Sequence, residues 1–165
     1  MRMRVICPIL LCIAMLLPFA NAFGLQAQSA PPPDRETIGA VVQELDTAWN
    51  ARDAARFSAV FSEDGSFGFP FEGLAWHGRD AIKGQYAKFF PTLPPDLRHV
   101  TTIDDFEVLT PDLVGVDFEV DIFGADPKIG ASQAPLVHYH GYGLGVRMDS
   151  GWRIRSARVF AAAKR

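Results

Sequence analysis

The chain has 165 residues, 48% of them hydrophobic, with a net charge of −3. That length suits one domain with accessory segments and a sizeable core, and the mildly acidic balance, with no basic stripe interleaved with aromatics, excludes nucleic acid as a natural partner. Both cysteines, Cys7 and Cys12, lie near the start, so the rest of the chain carries neither disulfide nor thiol nucleophile and must rely on its core.

Arg2 and Arg4 precede an apolar run over residues 5–20, broken only by Pro8 and Pro18. The run is shorter than the ~20 residues of a membrane-spanning helix, and Ala20-Asn21-Ala22 is a small-x-small cleavage site. Residues 1–22 therefore read as a signal peptide, with the mature chain starting at Phe23; a retained anchor is the alternative. Ile6 and Leu11, not small residues, precede the two cysteines, against a lipoprotein. The expected location is periplasmic or secreted, with no membrane attachment after cleavage. The mature chain has 14 basic against 19 acidic side chains, so its surface is acidic.

Residues 23–35 form a Pro-rich linker whose centre, 26–33, reads QAQSAPPP. The domain proper is expected over residues 36–163. Asp34 stands as N-cap for a first helix, in which Ile38, Val41, Val42, Leu45, Ala48 and Trp49 repeat at helical spacing. Residues 50–53 break it, and Asp53 caps a short second helix burying Phe57, Val60 and Phe61. Residues 63–65 read as a turn. Phe67, Phe69 and Phe71 alternate as a short aromatic strand ending near Gly73, and Asp80 is the expected cap of a third helix over 81–90, with Ile82, Tyr86, Phe89 and Phe90 inward. Pro91, Pro94 and Pro95 end that helix.

The second half changes character. Residues 97–109 read as a strand, 110–112 as a turn, and 113–123 as a strand with Val114, Val116, Phe118, Val120 and Ile122 on one face and Asp117, Glu119 and Asp121 on the other. A Gly/Ala/Pro-rich loop over 124–135, a strand over 136–148, a turn at 149–151 and a last strand over 152–162 complete the chain. Helices followed by a meander of antiparallel strands make an α+β domain.

The strand over 136–148, LVHYHGYGLGVRM, places His138, His140, Tyr142, Leu144, Val146 and Met148 on one face and Val137, Tyr139, Gly141, Gly143, Gly145 and Arg147 on the other. The aliphatic residues require burial and the glycines gain nothing from it. The face with His138 and His140 is therefore expected to be concave, with both imidazoles in a pocket wall as general acid/base groups. The plain alternative is two hydrogen-bonded wall histidines without a catalytic role. His-x-His also chelates metal from a strand, but that requires further ligands, which only His99 or a carboxylate would supply; no metal is expected. Tyr142, Trp49, Phe69, Tyr86 and His99 are the candidate ligand-binding residues: a hydroxyl donor on the same face, aromatic wall elements, and a histidine near the Pro-rich turn. Asp53 and Asp64 stand where a helix or strand must start and read as cap and turn formers. Residues 141–145, GYGLG, are followed by no helix and so do not form a phosphate loop.

Four pieces in order, WNARD at 49–53, FSAVFSED at 57–64, HGRDAI at 77–82 and VRMDSGWRI at 146–154, resemble the SgcJ/EcaC group of SnoaL-like proteins in the nuclear transport factor 2-like (cystatin-like cone) superfamily. The resemblance spans about the whole mature domain. It implies a strongly bent antiparallel sheet wrapped around N-terminal helices, an open-ended pocket, and a homodimer through the sheet, for which the Gly141, Gly143 and Gly145 stripe would permit close approach. The group carries the label oxidoreductase, while the superfamily also holds isomerases, dehydratases, hydrolases and binding modules, so fold alone does not decide function. The carboxylates of the steroid-isomerase branch have no counterpart on the strand with Phe67, Phe69 and Phe71 or on that with His138, which argues against that mechanism. Two readings stand: a cofactor-independent acid/base enzyme acting on a small, largely apolar molecule, and a non-catalytic dimeric binding or interaction module.

Overall fold

The computed structural model describes residues 31–124 and 134–161. The expected signal peptide, residues 1–22, lies outside the described residues, together with most of the linker and residues 125–133 of the long loop. No helix among the described residues is long and apolar enough to cross a membrane.

Helix α1 (Arg35–Asn50) starts where Asp34 accepts hydrogen bonds from the Thr37 amide (2.8 Å) and hydroxyl (2.7 Å). The amide bond satisfies an orphan donor of the first turn, and the Thr37 hydroxyl and amide together hold the Asp34 carboxyl below its usual range. Arg52 steps into left-handed backbone at φ 56°, and Asp53 accepts from the Ala55 and Arg56 amides to begin α2 (Ala54–Ala59). Strand β1 (Phe61–Phe69) follows at once. Residues 63–65, expected as a turn, lie inside it, and the pairing register shifts between Phe61 and Ser66, so they bulge from the ladder. A helical turn over Pro70–Glu72 leads back into β2 (Leu74–His77), antiparallel to β1.

Helix α3 (Arg79–Phe89) is capped by Gly78, not by Asp80. The Gly78 carbonyl already accepts from the Ile82 amide at 3.2 Å, so the helix begins earlier and Asp80 sits in its first turn, where a carboxylate suits the helix dipole. Ile82, Tyr86 and Phe90 are buried, whereas Phe89 is partly exposed. The Phe57 ring lies 4.0 Å from the Tyr86 ring and edge-on to Phe67 and Phe90, so one aromatic cluster joins both short helices to β1.

Strands β3 (Arg98–Thr110), β4 (Leu113–Phe123), β5 (Val137–Met148) and β6 (Gly151–Ala161) form an antiparallel meander. β6 then pairs in parallel with β1, a departure from an all-antiparallel sheet, and the strand order is β2-β1-β6-β5-β4-β3. The sheet is curved and unclosed, with the helices packed against its concave face. The α+β class and the bent sheet around N-terminal helices are those expected.

The sense of β5 is the reverse of the expected one. The concave face carries Val137, Tyr139, Gly141, Gly143 and Gly145, and His138, His140 and Tyr142 lie on the convex face. The cause is Phe118 on β4, paired directly opposite Gly141. A Cβ on Gly141 would stand 2.2 Å from two carbons of the Phe118 ring, and one on Gly143 would stand 3.5 Å from it. The glycines therefore face inward because a neighbour's ring takes their side-chain volume, not outward to admit a second subunit. Gly141→Ala is expected to cost about 1–3 kcal/mol by overpacking, read as a lower urea midpoint. Phe118→Leu in the same chain should recover part of that loss, because the smaller side chain vacates the clash. Strictly additive effects of the two changes would refute the packing argument.

Candidate functional site

The concave sheet face and the three helices enclose a cavity of about 300 Å³. Its wall is almost wholly apolar. α1 contributes Val41, Leu45 and Trp49, β1 contributes Phe67 and Phe69, and β4 contributes Phe118 and Val120. Phe89 and Val137 line the cavity and are themselves exposed, which puts its opening between the end of α3 and the start of β5. Size and lining match a site for a small, mostly apolar ligand.

One imidazole interrupts this wall. His99, near the start of β3, is 8% exposed and lines the cavity. Its Nδ1 lies 2.8 Å from Oδ1 of Asp46 on α1. The Asp46 carboxylate also accepts from the Thr101 amide (2.8 Å) and hydroxyl (2.7 Å), so both its oxygens are bonded and its position is fixed. The backbone of His99 is held in turn: its amide donates to Asn50 Oδ1 and its carbonyl accepts from Asn50 Nδ2, each at 2.8 Å. Trp49 backs the ring at a centroid distance of 4.9 Å. A carboxylate on Nδ1 places the ring proton there when the imidazole is neutral, leaving the Nε2 lone pair as the free acceptor. No described residue hydrogen-bonds Nε2.

Trp49, Phe69, Tyr86 and His99 thus come together on the cavity wall. Burial pushes the Tyr86 phenol far above the usual tyrosine range, and burial followed by the nearby Glu72 carboxylate pushes the Tyr139 phenol up as well. Both are neutral hydroxyls at physiological pH. His138, His140 and Tyr142 are not in the wall: His138 pairs with Asp121 at 2.7 Å on the convex face, and Tyr142 is 41% exposed and lies over Gly115, whose added Cβ would meet its hydroxyl at 2.4 Å. Asp53 caps α2, and Asp64 accepts from Ser62 and pairs with Arg155, so both are structural.

Sequence reasoning missed Asp46. Its signal was its position, four residues after Val42 and three before Trp49, a carboxylate on the flank of the inward stripe of α1.

The chain belongs to the SnoaL-like domain family, which matches residues 42–160. Among solved structures it is similar to a nuclear transport factor 2-like protein with a cystatin-like fold from Novosphingobium aromaticivorans, at 18% identity over 80% of this chain and 84% of that one, with a TM-score of 0.68. An uncharacterised cystatin-like protein from Caulobacter vibrioides is 24% identical over 78% and 89% of the two chains, with a TM-score of 0.63. A candidate scytalone dehydratase from Novosphingobium aromaticivorans is 14% identical over 78% and 83%, with a TM-score of 0.65. These likenesses establish the cone fold. No curated protein sequence matches the chain.

The Tyr86 environment has a consequence for stability. A phenol whose folded pKa exceeds its unfolded value of about 10 contributes stability that is intact below that value and lost as pH rises above it. Wild type should therefore lose up to about 1.4 kcal/mol per pH unit per such phenol in alkaline solution. Tyr86→Phe, which among the described residues breaks no hydrogen bond, should flatten this fall while changing stability little at pH 7. Parallel stability curves for the two proteins between pH 8 and pH 11 would contradict the burial argument.

Proposed function

We propose that the protein binds a small, largely apolar molecule in the cone and transforms it by acid/base chemistry, with His99 transferring the proton and Asp46 positioning it. The observation that carries this reading is a single carboxylate-bound imidazole in an almost wholly apolar, largely aromatic wall. Neutral His99 accepts a proton from a substrate C–H or O–H at Nε2. Asp46 stabilises the resulting imidazolium, and the same proton returns to a leaving hydroxyl, giving dehydration, or to another carbon, giving isomerisation. Neither outcome consumes a redox cofactor. His138 and His140, expected from the sequence as the acid/base groups, lie on the other side of the sheet and take no part in this chemistry.

The likeness to a candidate dehydratase is compatible with this class of reaction. We place the chain in the SgcJ/EcaC group on its four sequence pieces, and prefer proton transfer to that group's oxidoreductase label because the wall offers a proton-transfer group. The non-catalytic reading is favoured by the scarcity of polar groups on the wall.

A thermal-shift and turnover screen with monocyclic and bicyclic phenols, hydroxyketones and enones tests the pair. Binding with turnover is expected. His99→Gln should lower turnover about 10²–10⁴-fold, the usual worth of a general acid/base, with binding retained. Val41→Trp, which fills the cavity, should abolish binding. Binding that survives Val41→Trp places the ligand elsewhere; binding without turnover across the panel supports the binding-module reading.

Export by residues 1–22 and a homodimer through the convex face complete the proposal. That face exposes Tyr142 and Phe160, with Val146 half-buried beside them, although Asp117 and Glu119 add charge there. Intact-mass and light-scattering measurements on exported protein should give a chain starting at Phe23 and a dimer mass. A membrane-bound species retaining Met1, or a monomer at micromolar concentration, refutes the respective part.

A further inference from the structure

On the convex face, strand alternation brings His138 and His140 to the same side of β5, and the antiparallel register sets each opposite a carboxylate of β4: Asp121 against His138 and Glu119 against His140. The two rings stand 5.0 Å apart at 82°. Glu119 Oε1 lies between them, 3.6 Å from His138 Nε2 and 3.6 Å from His140 Nδ1. One ligand atom from each of the three residues falls within 4.8 Å of the other two.

These distances are too long for hydrogen bonds and close to the ligand–ligand edge of a tetrahedral metal site, about 3.4 Å for bonds of about 2.0–2.1 Å. Three donors thus converge without bonding one another. A separate feature points the same way. His138 Nδ1 lies 2.7 Å from Asp121 Oδ1, which places the Nδ1 proton on that bond and turns the Nε2 lone pair toward Glu119. A carboxylate behind a ligating imidazole orients the ring and raises its basicity toward metal. The side chain of His140 is 48% exposed in the single chain, so a cation has access from the convex face.

We propose that Glu119, His138 and His140 form a mononuclear site for a first-row divalent cation of the Zn²⁺ type, with Asp121 as the positioning residue behind His138. Two imidazoles and one carboxylate select such ions over Mg²⁺ and Ca²⁺, which prefer all-oxygen shells. The ligands come from two adjacent, hydrogen-bonded strands, so the cation would tie β4 to β5. The site is on the opposite face of the sheet from the cavity and stands independently of the acid/base reading.

The test is calorimetric titration of untagged, chelator-treated protein with ZnCl₂, alongside thermal unfolding and circular dichroism. Wild type should bind one Zn²⁺ per chain and unfold at a higher temperature with the ion present, and MgCl₂ should not compete. Asp121→Asn should weaken binding about 10- to 100-fold while keeping the one-to-one stoichiometry. Glu119→Gln, His138→Gln and His140→Gln should each weaken it further, and His77→Gln, an exposed histidine on β2, should leave it unchanged. The circular dichroism of each variant separates lost ligation from lost folding. Absence of one-to-one binding in wild type overturns the proposal, as does unaltered binding in a folded His138→Gln/His140→Gln double variant.

Discussion

Phe118 lays its ring across β5 where Gly141 and Gly143 have no side chains, and the sidedness of the sheet depends on that contact. Once Phe118 points inward, alternation along β4 sends Val116 and Val120 inward with it and Asp117, Glu119 and Asp121 outward. The pairing of β4 with β5 then fixes the neighbour: residues opposite an inward side chain are themselves inward. Tyr139 enters the cone, within 6.2 Å of the Phe69 ring, and His138 and His140 leave it. β6 adapts through a bulge. Its pairing with β5 skips Arg155, so Ile154 on one side of the bulge and Ala157 and Val159 on the other all reach the cavity.

The helical side of the cavity rests on a second set of constraints, all polar. Asn50 exchanges two hydrogen bonds with the backbone of His99, and the Arg52 guanidinium, 4.3 Å over the Trp49 ring, donates to the carbonyls of Trp49, Pro94 and Leu97. These bonds lock the turn after α1 onto the segment entering β3. Asp46 then meets His99 and Thr101 without freedom to choose other partners. A carboxylate at the edge of an apolar cavity is costly unless its oxygens are satisfied, and here three donors satisfy them.

What was legible in the sequence follows from the range of each interaction. The caps Asp34 and Asp53, the inward stripe of α1 and the alternation over 113–123 are local patterns, and the structure carries them at the expected positions. The sidedness of β5 was not local. Its own side chains argued for burying Leu144 and Val146, but the interior volume beside Gly141 and Gly143 is filled from β4, and a strand read alone does not show what its neighbour brings. Residues 63–65 carry turn chemistry yet sit in β1, where the bulge absorbs them and Arg79 donates to the Phe61 carbonyl at 2.6 Å. Asp46 and His99 are brought together only by the packing of α1 on β3, which no spacing rule encodes.

The same pair, an aspartate on the Nδ1 of a histidine, occurs on both sides of this sheet: Asp46 with His99 at 2.8 Å inside, Asp121 with His138 at 2.7 Å outside. In each the carboxylate fixes which nitrogen keeps the proton and frees the lone pair of Nε2. What the free nitrogen faces then decides its chemistry. Inside, the surroundings are aromatic rings and aliphatic side chains, where water is scarce and a charge is poorly solvated, so the lone pair is suited to trade a proton with a bound molecule. Outside, it faces a carboxylate oxygen and a second imidazole across a wet surface. There two imidazole nitrogens each stand 3.6 Å from one carboxylate oxygen, a spacing suited to a shared cation. A one-residue change of register in β5 would carry His138 and His140 to the concave face, so the contact between Phe118 and the two glycines decides on which side of the sheet those imidazoles act, while the packing of α1 on β3 holds His99 inside.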